Sequence, residues 1–383
     1  MPKDKHAAVR RTQTAPYASA ARKPEHPLAR EPGVEQDPAR GAALANSAPQ
    51  QRGREQHERE RPPRAKLPER FRGPLALSYS RRTDGVADKD KLLDFLNGLR
   101  SGTFVPLHPW YGYECKPLKV DAVSFPVITW LSKDYRNLLA LWDSYPELAM
   151  RRHLFAFTIN GPDHSLLEPG LNAPLEERFE QLARLADIVR GLGQDPDESI
   201  LVHLDPIVLY RVRGAETNNL GHVAALGEAM RRLGLTRLHM SFMQFGFSTV
   251  KPRVSRCARA GLEMYDPDAA EKKRIIDVIV APALGPSIRL QSCTYDGVPQ
   301  GACFGSDQVR AAAAACGRAF PPGPGPRPSG PRVCACYPFR DVGKKKNACP
   351  HGCVYCFVNP REYEICIPGG GVGVGGAAAN LEW

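Results

Sequence analysis

Short apolar runs alternate with longer amphipathic ones between residues 75 and 316 of this 383-residue chain, and this alternation constrains the fold more than any other feature. Residues 75–79, 122–129, 154–159, 200–204, 238–242 and 288–291 have the length and composition of buried strands. Residues 89–100, 135–144, 174–190, 217–233, 269–280 and 307–316 carry helical patterning. Pro174 suits a first helical turn, and Gly191 and Gly193 suit its end. Strand followed by helix, repeated about six times, predicts an α/β fold with a parallel sheet. A complete or partial (β/α) barrel over 73–318 fits this count, and an open doubly wound sheet is the competing architecture.

The flanks read differently. Residues 1–72 are rich in Ala, Pro, Arg, Gln and Glu without an apolar period, a composition that cannot bury enough surface to offset ordering entropy. They are predicted to be a disordered tail. They carry 16 Lys and Arg against 9 Asp and Glu, a net of +7, which leaves +4 of the total +11 for everything else. A basic tail can neutralise nucleic-acid phosphates, or simply keep a chain soluble. Residues 319–333 read as an extended Pro/Gly-rich connector, 334–366 as a Cys-rich cluster-binding segment and 367–383 as a flexible Gly/Ala tail. No apolar run approaches the ~20 residues of a membrane span. The basic start of the chain has no apolar stretch behind it, so no secretory signal is expected and the location is read as cytoplasmic. Thiols stay reduced there, and eleven cysteines are then ligands, nucleophiles or buried thiols rather than a disulfide framework.

Polar residues collect where the strands should end. Ser80, Arg81, Arg82 and Asp84 follow the first, Trp130 the second and Asn160 the third; His203 and Asp205 belong to the fourth, Gln244 follows the fifth and Cys293 the sixth. In a parallel barrel these positions share the C-terminal rim, where sites are built.

Cys349, Cys353 and Cys356 have the spacing Cys-x-x-x-Cys-x-x-Cys, and Gly352 lets backbone come close. Three thiolates on one tight loop can each bind one iron of a 4Fe–4S cubane and leave the fourth iron open. That is the arrangement by which radical S-adenosylmethionine (SAM) enzymes hold SAM, with an aromatic such as Tyr355 before the last Cys. Zinc is the alternative, with His351 or Cys366 as fourth ligand. The loop lies far downstream of the first strand, so it reaches the barrel mouth only if the tail folds back over the strand ends. Cys293, Cys303, Cys334 and Cys336 form a second group, suited to another 4Fe–4S cluster or a zinc. Cys316, after a run of alanines, reads as helix core.

Several separated motifs carry a resemblance to a known family: Ser78-Tyr79-Ser80-Arg81-Arg82-Thr83-Asp84, Leu175-Glu176-Glu177-Arg178, Asp205-Pro206-Ile207, Ser241-Phe242, Cys334-Ala335-Cys336, Asp341-Val342-Gly343 and the final cysteine loop. Over roughly residues 75–358 the chain resembles the bacterial domain of unknown function eighteen forty-eight, whose members look like radical SAM proteins with the cysteine loop at the C-terminus. Two departures stand out. Val202-His203-Leu204 replaces a Trp-Arg-Tyr before the Asp-Pro, and Cys293-Thr294-Tyr295 replaces a Cys-Ala-Glu. The resemblance implies a partial barrel and a C-terminal cluster, and supplies no reaction.

The expectation is therefore an iron–sulfur protein of radical SAM type. Arg81 or Arg82 would pair with the SAM carboxylate, and Asp205 would accept hydrogen bonds from its ribose, with Asp84 as a further binding candidate. Ferredoxin or flavodoxin would supply the electron. The competing expectation is a cluster- or zinc-stabilised nucleic-acid-binding protein that uses the basic tail, Lys344-Lys345-Lys346, and Trp110 and Tyr111 as stacking platforms.

Overall fold

A computed structural model of the chain describes residues 76–79, 83–106, 114–161, 164–317, 327–329, 332–337, 339–342 and 349–358. Seven strands form one sheet: β1 (Leu77–Ser78), β2 (Val127–Ser132), β3 (Arg152–Thr158), β4 (Ile200–Ile207), β5 (Arg237–Phe242), β6 (Arg289–Gln291) and β7 (Arg340–Asp341). Their order is β6-β5-β4-β3-β2-β1-β7, and every pairing is parallel. The first six follow chain order without the reversal that defines a doubly wound sheet. Among the described residues no pairing joins β6 to β7, so the architecture is a parallel α/β sheet.

Alternation along the strands builds two faces. Trp130, Phe155, Phe157, Val202 and Leu238 point to one, against Phe95 and Leu96 of α1 (Lys89–Ser101), Leu138 of α2 (Arg136–Leu141), Leu182 and Leu185 of α3 (Leu175–Gly191) and Leu226 of α4 (Val223–Leu233). The Asp88 side chain caps α1 by accepting from Lys91 N, and Gly102 closes it at φ 74°. The Phe95 ring stacks on Tyr79 at 4.3 Å and meets Phe104 and Trp130 edge-on. Truncating so enclosed a ring to Ala would cost about 3–5 kcal/mol.

The opposite face carries Val127, Leu154 and Ala156, and a layer the sequence reading did not foresee lies on it. Phe304, Val309, Ala313 and Tyr337 pack there, two of them from α5 (Ser306–Ala314). A second addition follows β4: Leu209–Val212, Ala215–Asn218 and Leu262–Tyr265 form a small antiparallel sheet. Its first turn places Arg213 at φ 51° and Gly214 at φ 85°, the positive pair that a tight hairpin requires.

Other expectations need correction. The helix expected over 217–233 begins only at Val223, because Thr217 and Asn218 are drawn into the hairpin. The second strand starts at Val127, since the Asp121 carboxylate ties Val123 and Ser124 into a turn. Trp130 is therefore mid-strand core, its Nε1 donating to His153 Nδ1 at 2.9 Å, and not a rim residue. Part of the expected connector is a hairpin, Arg327–Ser329 paired with Arg332–Cys334. Cys316 sits half-buried just past α5 rather than in its core. The expected tails, 1–72 and 367–383, lie outside the described residues. Among the described residues no helix is long and apolar enough to cross a membrane.

Candidate metal centre

The C-terminal segment folds back over the strand ends. β7 pairs with β1 in register Leu77 to Arg340 and Ser78 to Asp341, which returns the chain to the sheet. Residues 349–358 then cross the C-terminal ends of the strands. Val354 N donates to Leu167 O at 3.0 Å, Gly170 N to His351 O at 2.8 Å and Thr249 Oγ1 to Phe357 O at 2.8 Å. The Arg253 guanidinium donates to Cys356 O. Gly352 takes φ 62°, a conformation that favours glycine and turns the loop. Cys353, Val354 and Tyr355 are buried with Val208, Tyr210, Met243 and Met264, so the small antiparallel sheet forms one wall.

A polar network joins this loop to the strand ends. Lys133, just past β2, donates from Nζ to Glu168 Oε1 at 2.6 Å and to Tyr355 OH at 3.0 Å. The Tyr355 hydroxyl also donates to Glu168. Asn160, just past β3, donates to the same carboxylate oxygen at 2.8 Å, and its Oδ1 accepts from Asp205 N at 3.1 Å. Ser241 of β5 donates to the Asp205 carboxylate. Burial pushes Glu168 up, but the Lys133 ammonium, the Tyr355 hydroxyl and the Arg178 guanidinium together outweigh it and hold the group down to about 2. Burial likewise pulls Lys133 down, yet Glu168 and the Cys353 thiol hold it above its ordinary value.

A second anchor holds the other end of the loop. His351 Nε2 and Asp84 Oδ2 are 2.7 Å apart, both side chains buried. Ser132 Oγ and Lys133 N donate to the same carboxylate. His351 Nδ1 is buried without a hydrogen-bond partner. Asp84 is thus engaged by the protein's own loop, in a place where the sequence reading put cofactor.

The three thiols sit at the centre. Burial, then Asp84, pushes Cys349 up to about 12, and burial raises Cys353 and Cys356 as well. Lys133 opposes the rise at Cys353, and Arg253 and Lys133 oppose it at Cys356. Val358 N donates to Cys356 Sγ at 3.4 Å. Buried soft donors beside two cations suit a group that deprotonates thiols and carries negative charge. Among the described residues no three His, Cys, Asp or Glu side chains already surround a single ion. Thiolates on three different irons of a cubane do not meet at one point, so this geometry does not oppose a cluster.

Of the second cysteine group, Cys293, Cys303 and Cys336 come together. Cys293 lies within hydrogen-bonding reach of Cys303 and of His239, and Cys303 of Cys336. Only the backbone of Cys334 is described. The Asp205 charge acts on a thiol of each group, Cys293 and Cys356. Gln244 is exposed, and Arg81, Arg82, Trp110, Tyr111, the Lys344–346 run and Cys366 lie outside the described residues. The sequence reading missed Lys133, because it ended β2 too early, and Glu168, a lone carboxylate before Pro169-Gly170. It also missed His239, hidden in an apolar strand where only the alternation with Leu238 and Met240 marks its face.

A family model described as "Domain of unknown function (DUF1848)" matches residues 76–358. No curated protein matches the chain. Among solved structures, the HMG-CoA lyase from Brucella melitensis is similar at 13% identity over 63% of this chain and 78% of that one. Its TM-score of 0.28 leaves that likeness without weight here.

Proposed function

We propose that this chain, which belongs to the DUF1848 family, is an iron–sulfur enzyme of radical SAM type, with Cys349, Cys353 and Cys356 holding a 4Fe–4S cluster. The supporting observation is the position of the loop: Lys133 and Asn160, from two strand ends, reach Tyr355 between its last two cysteines. The motif lies late in the sequence but over the C-terminal strand ends, where a parallel sheet builds its sites. On this reading the seven strands act as a partial barrel whose mouth the loop covers.

When bound, the cluster and SAM would supply a 5′-deoxyadenosyl radical able to abstract a hydrogen atom from a substrate. The chain's own residues bind, orient and shield. Val354 and Tyr355 keep water from one side of the loop, and Lys133 and Arg253 offset its negative charge. Asp205, held by Ser241 and by Asn160, is the group placed to accept hydrogen bonds from a ribose. Arg81 and Arg82 remain the candidates for a SAM carboxylate.

One observation favours a second reading. A buried histidine with one nitrogen on a carboxylate and the other unpartnered is a frequent metal-ligand arrangement, and His351 has it. Ligation through His351 Nδ1 would close the site as Cys₃His, which suits a structural zinc. Anaerobic reconstitution with iron and sulfide, followed by dithionite and SAM, separates the two. The enzyme reading expects 5′-deoxyadenosine; tightly held zinc that excludes iron supports the closed site.

A further inference from the structure

We propose that the helix Lys251–Arg259 and the ring pair Phe247 and Phe357 form a binding surface for single-stranded nucleic acid beside the cysteine loop. The binding itself does not depend on what that loop holds.

Phe247 lies in the loop after β5, and Phe357 follows Cys356. Their rings stack at 4.8 Å, 22° from parallel. Phe247 is 40% exposed and Phe357 58%, and they alone are aromatic among the exposed large apolar side chains of the described residues. Single exposed apolar residues are ordinary, but here two rings from distant segments meet in solvent. The pair is anchored. Thr249 Oγ1 donates to Phe357 O at 2.8 Å, and the Arg253 guanidinium donates to Cys356 O. Cys257 is buried and Val254 half-buried in the cluster that holds Val354 and Tyr355, which fixes the helix to the cysteine loop. Lys251 and Arg259 are left exposed.

The helix carries Lys251, Arg253, Arg256 and Arg259 and no carboxylate, and no Asp or Glu occurs anywhere in residues 229–262. Glu263, the next acid, pairs with Arg211 in the small sheet. Arg253, Arg256 and Arg259 are spaced by three residues, so they share a side of the helix in a row that starts at the Cys356 carbonyl. Arg256 and Arg259, in the last turn, suit the helix dipole. Lys251 and Arg253, in the first turn, oppose it, so helix stability does not account for them. A polyanion would offset all four charges.

Cations alone fit any anionic partner, and the rings narrow the class. Nucleobases stack on exposed aromatic faces, and unpaired bases reach them where those inside a duplex do not. Phosphates on a basic row with bases on neighbouring rings is how single strands are held without sequence readout. A strand held there lies against Cys356. On the radical-enzyme reading, and resting on it, nucleic acid is then the substrate class.

The test is fluorescence anisotropy of labelled oligo-dT and oligo-U with the full-length protein over a range of salt. Phe357→Ala should weaken binding roughly tenfold without changing its salt dependence, and Phe357→Trp should bind like the wild type. Arg259→Gln should lower the slope of log affinity against log salt by about 0.7. Circular dichroism checks the fold of each variant, and Phe247→Ala takes the place of Phe357→Ala should that one not fold. The basic tail is present throughout, so equal binding by wild type and variants overturns the surface. Poly-L-glutamate that displaces oligo-dT equally well at equal charge overturns the nucleic-acid class and assigns the surface to an acidic protein. The assay needs neither cluster nor SAM, so its failure leaves the cluster reading standing, and colourless protein that binds as expected leaves this one.

Discussion

Lys133 Nζ lies 3.0 Å from Tyr355 OH and joins the end of β2 to a loop 222 residues later. The same ammonium is 2.6 Å from Glu168, and all three groups are largely buried. Charges in such a place are stable only when every member is present, because removing one strands another away from water.

Lys133→Met should therefore destabilise the protein by about 3–5 kcal/mol, by leaving the Glu168 carboxylate unpaired. Tyr355→Phe keeps the charge pair but removes a hydroxyl that donates to Glu168 and accepts from Lys133 and Asn160, and should cost about 1–3 kcal/mol. Urea unfolding monitored by circular dichroism measures both. A Lys133→Met protein as stable as the wild type would mean that the network does not hold the loop.

Asp84 anchors the loop from the other side. Asp84→Ala leaves His351 Nε2, Ser132 Oγ and Lys133 N without their shared acceptor. The expected result is a native far-ultraviolet spectrum with severalfold less iron retained through gel filtration. Full iron retention would show that the loop holds its shape without this carboxylate.

Gly161 follows Asn160 and passes close to another backbone. A Cβ there would stand 2.5 Å from Asn219 O, a contact that only a backbone shift can relieve. Gly161→Ala should cost about 1–3 kcal/mol and move Asn160 away from Tyr355 and Glu168. Thermal unfolding gives the first effect and iron retention the second; a variant unchanged in both would contradict the close approach.

Acid should weaken the fold through histidines kept neutral. His153 accepts from Trp130 Nε1 at its Nδ1, and its Nε2 lies 2.8 Å from Leu148 O, a pairing that suits only the uncharged ring. Burial pulls its pKa down to about 4. Below pH 6.5 the unfolded chain takes up a proton that the folded chain refuses. Stability is full above pH 6.5, falls as pH drops toward 4, and loses roughly 3 kcal/mol over that window. His222, also pulled down to about 4 by burial, adds in the same direction. Urea unfolding between pH 7.5 and 4.5 should show this slope, reduced in His153→Gln. An equal slope in that variant would remove His153 as a cause.

Much of the sheet was legible because its strands are buried on both faces and read as continuous apolar runs. Leu154, Phe155, Ala156 and Phe157 are such a run, found in β3. β7 was not legible: two residues, Arg340 and Asp341, carry no apolar signal and are strand only because β1 offers them an edge. The small antiparallel sheet was missed for a different reason. Its Arg213-Gly214 turn was readable, but the helical pattern downstream was allowed to run through Thr217 and Asn218. At the site, short-range spacing exposed the three thiols. The partners of Tyr355 come from Lys133, Asn160 and Glu168, whose relation to it is set by topology alone, and no local pattern encodes that.

The most direct test of a cluster in the C-terminal loop is an iron and sulfide count after anaerobic reconstitution, made on the wild type and on Cys353→Ala, with SAM cleavage assayed in the same samples. Four irons and four sulfides per chain that depend on Cys353, with 5′-deoxyadenosine released by the wild type only, are expected. Colourless wild-type protein, or iron retained in full by Cys353→Ala, would contradict it.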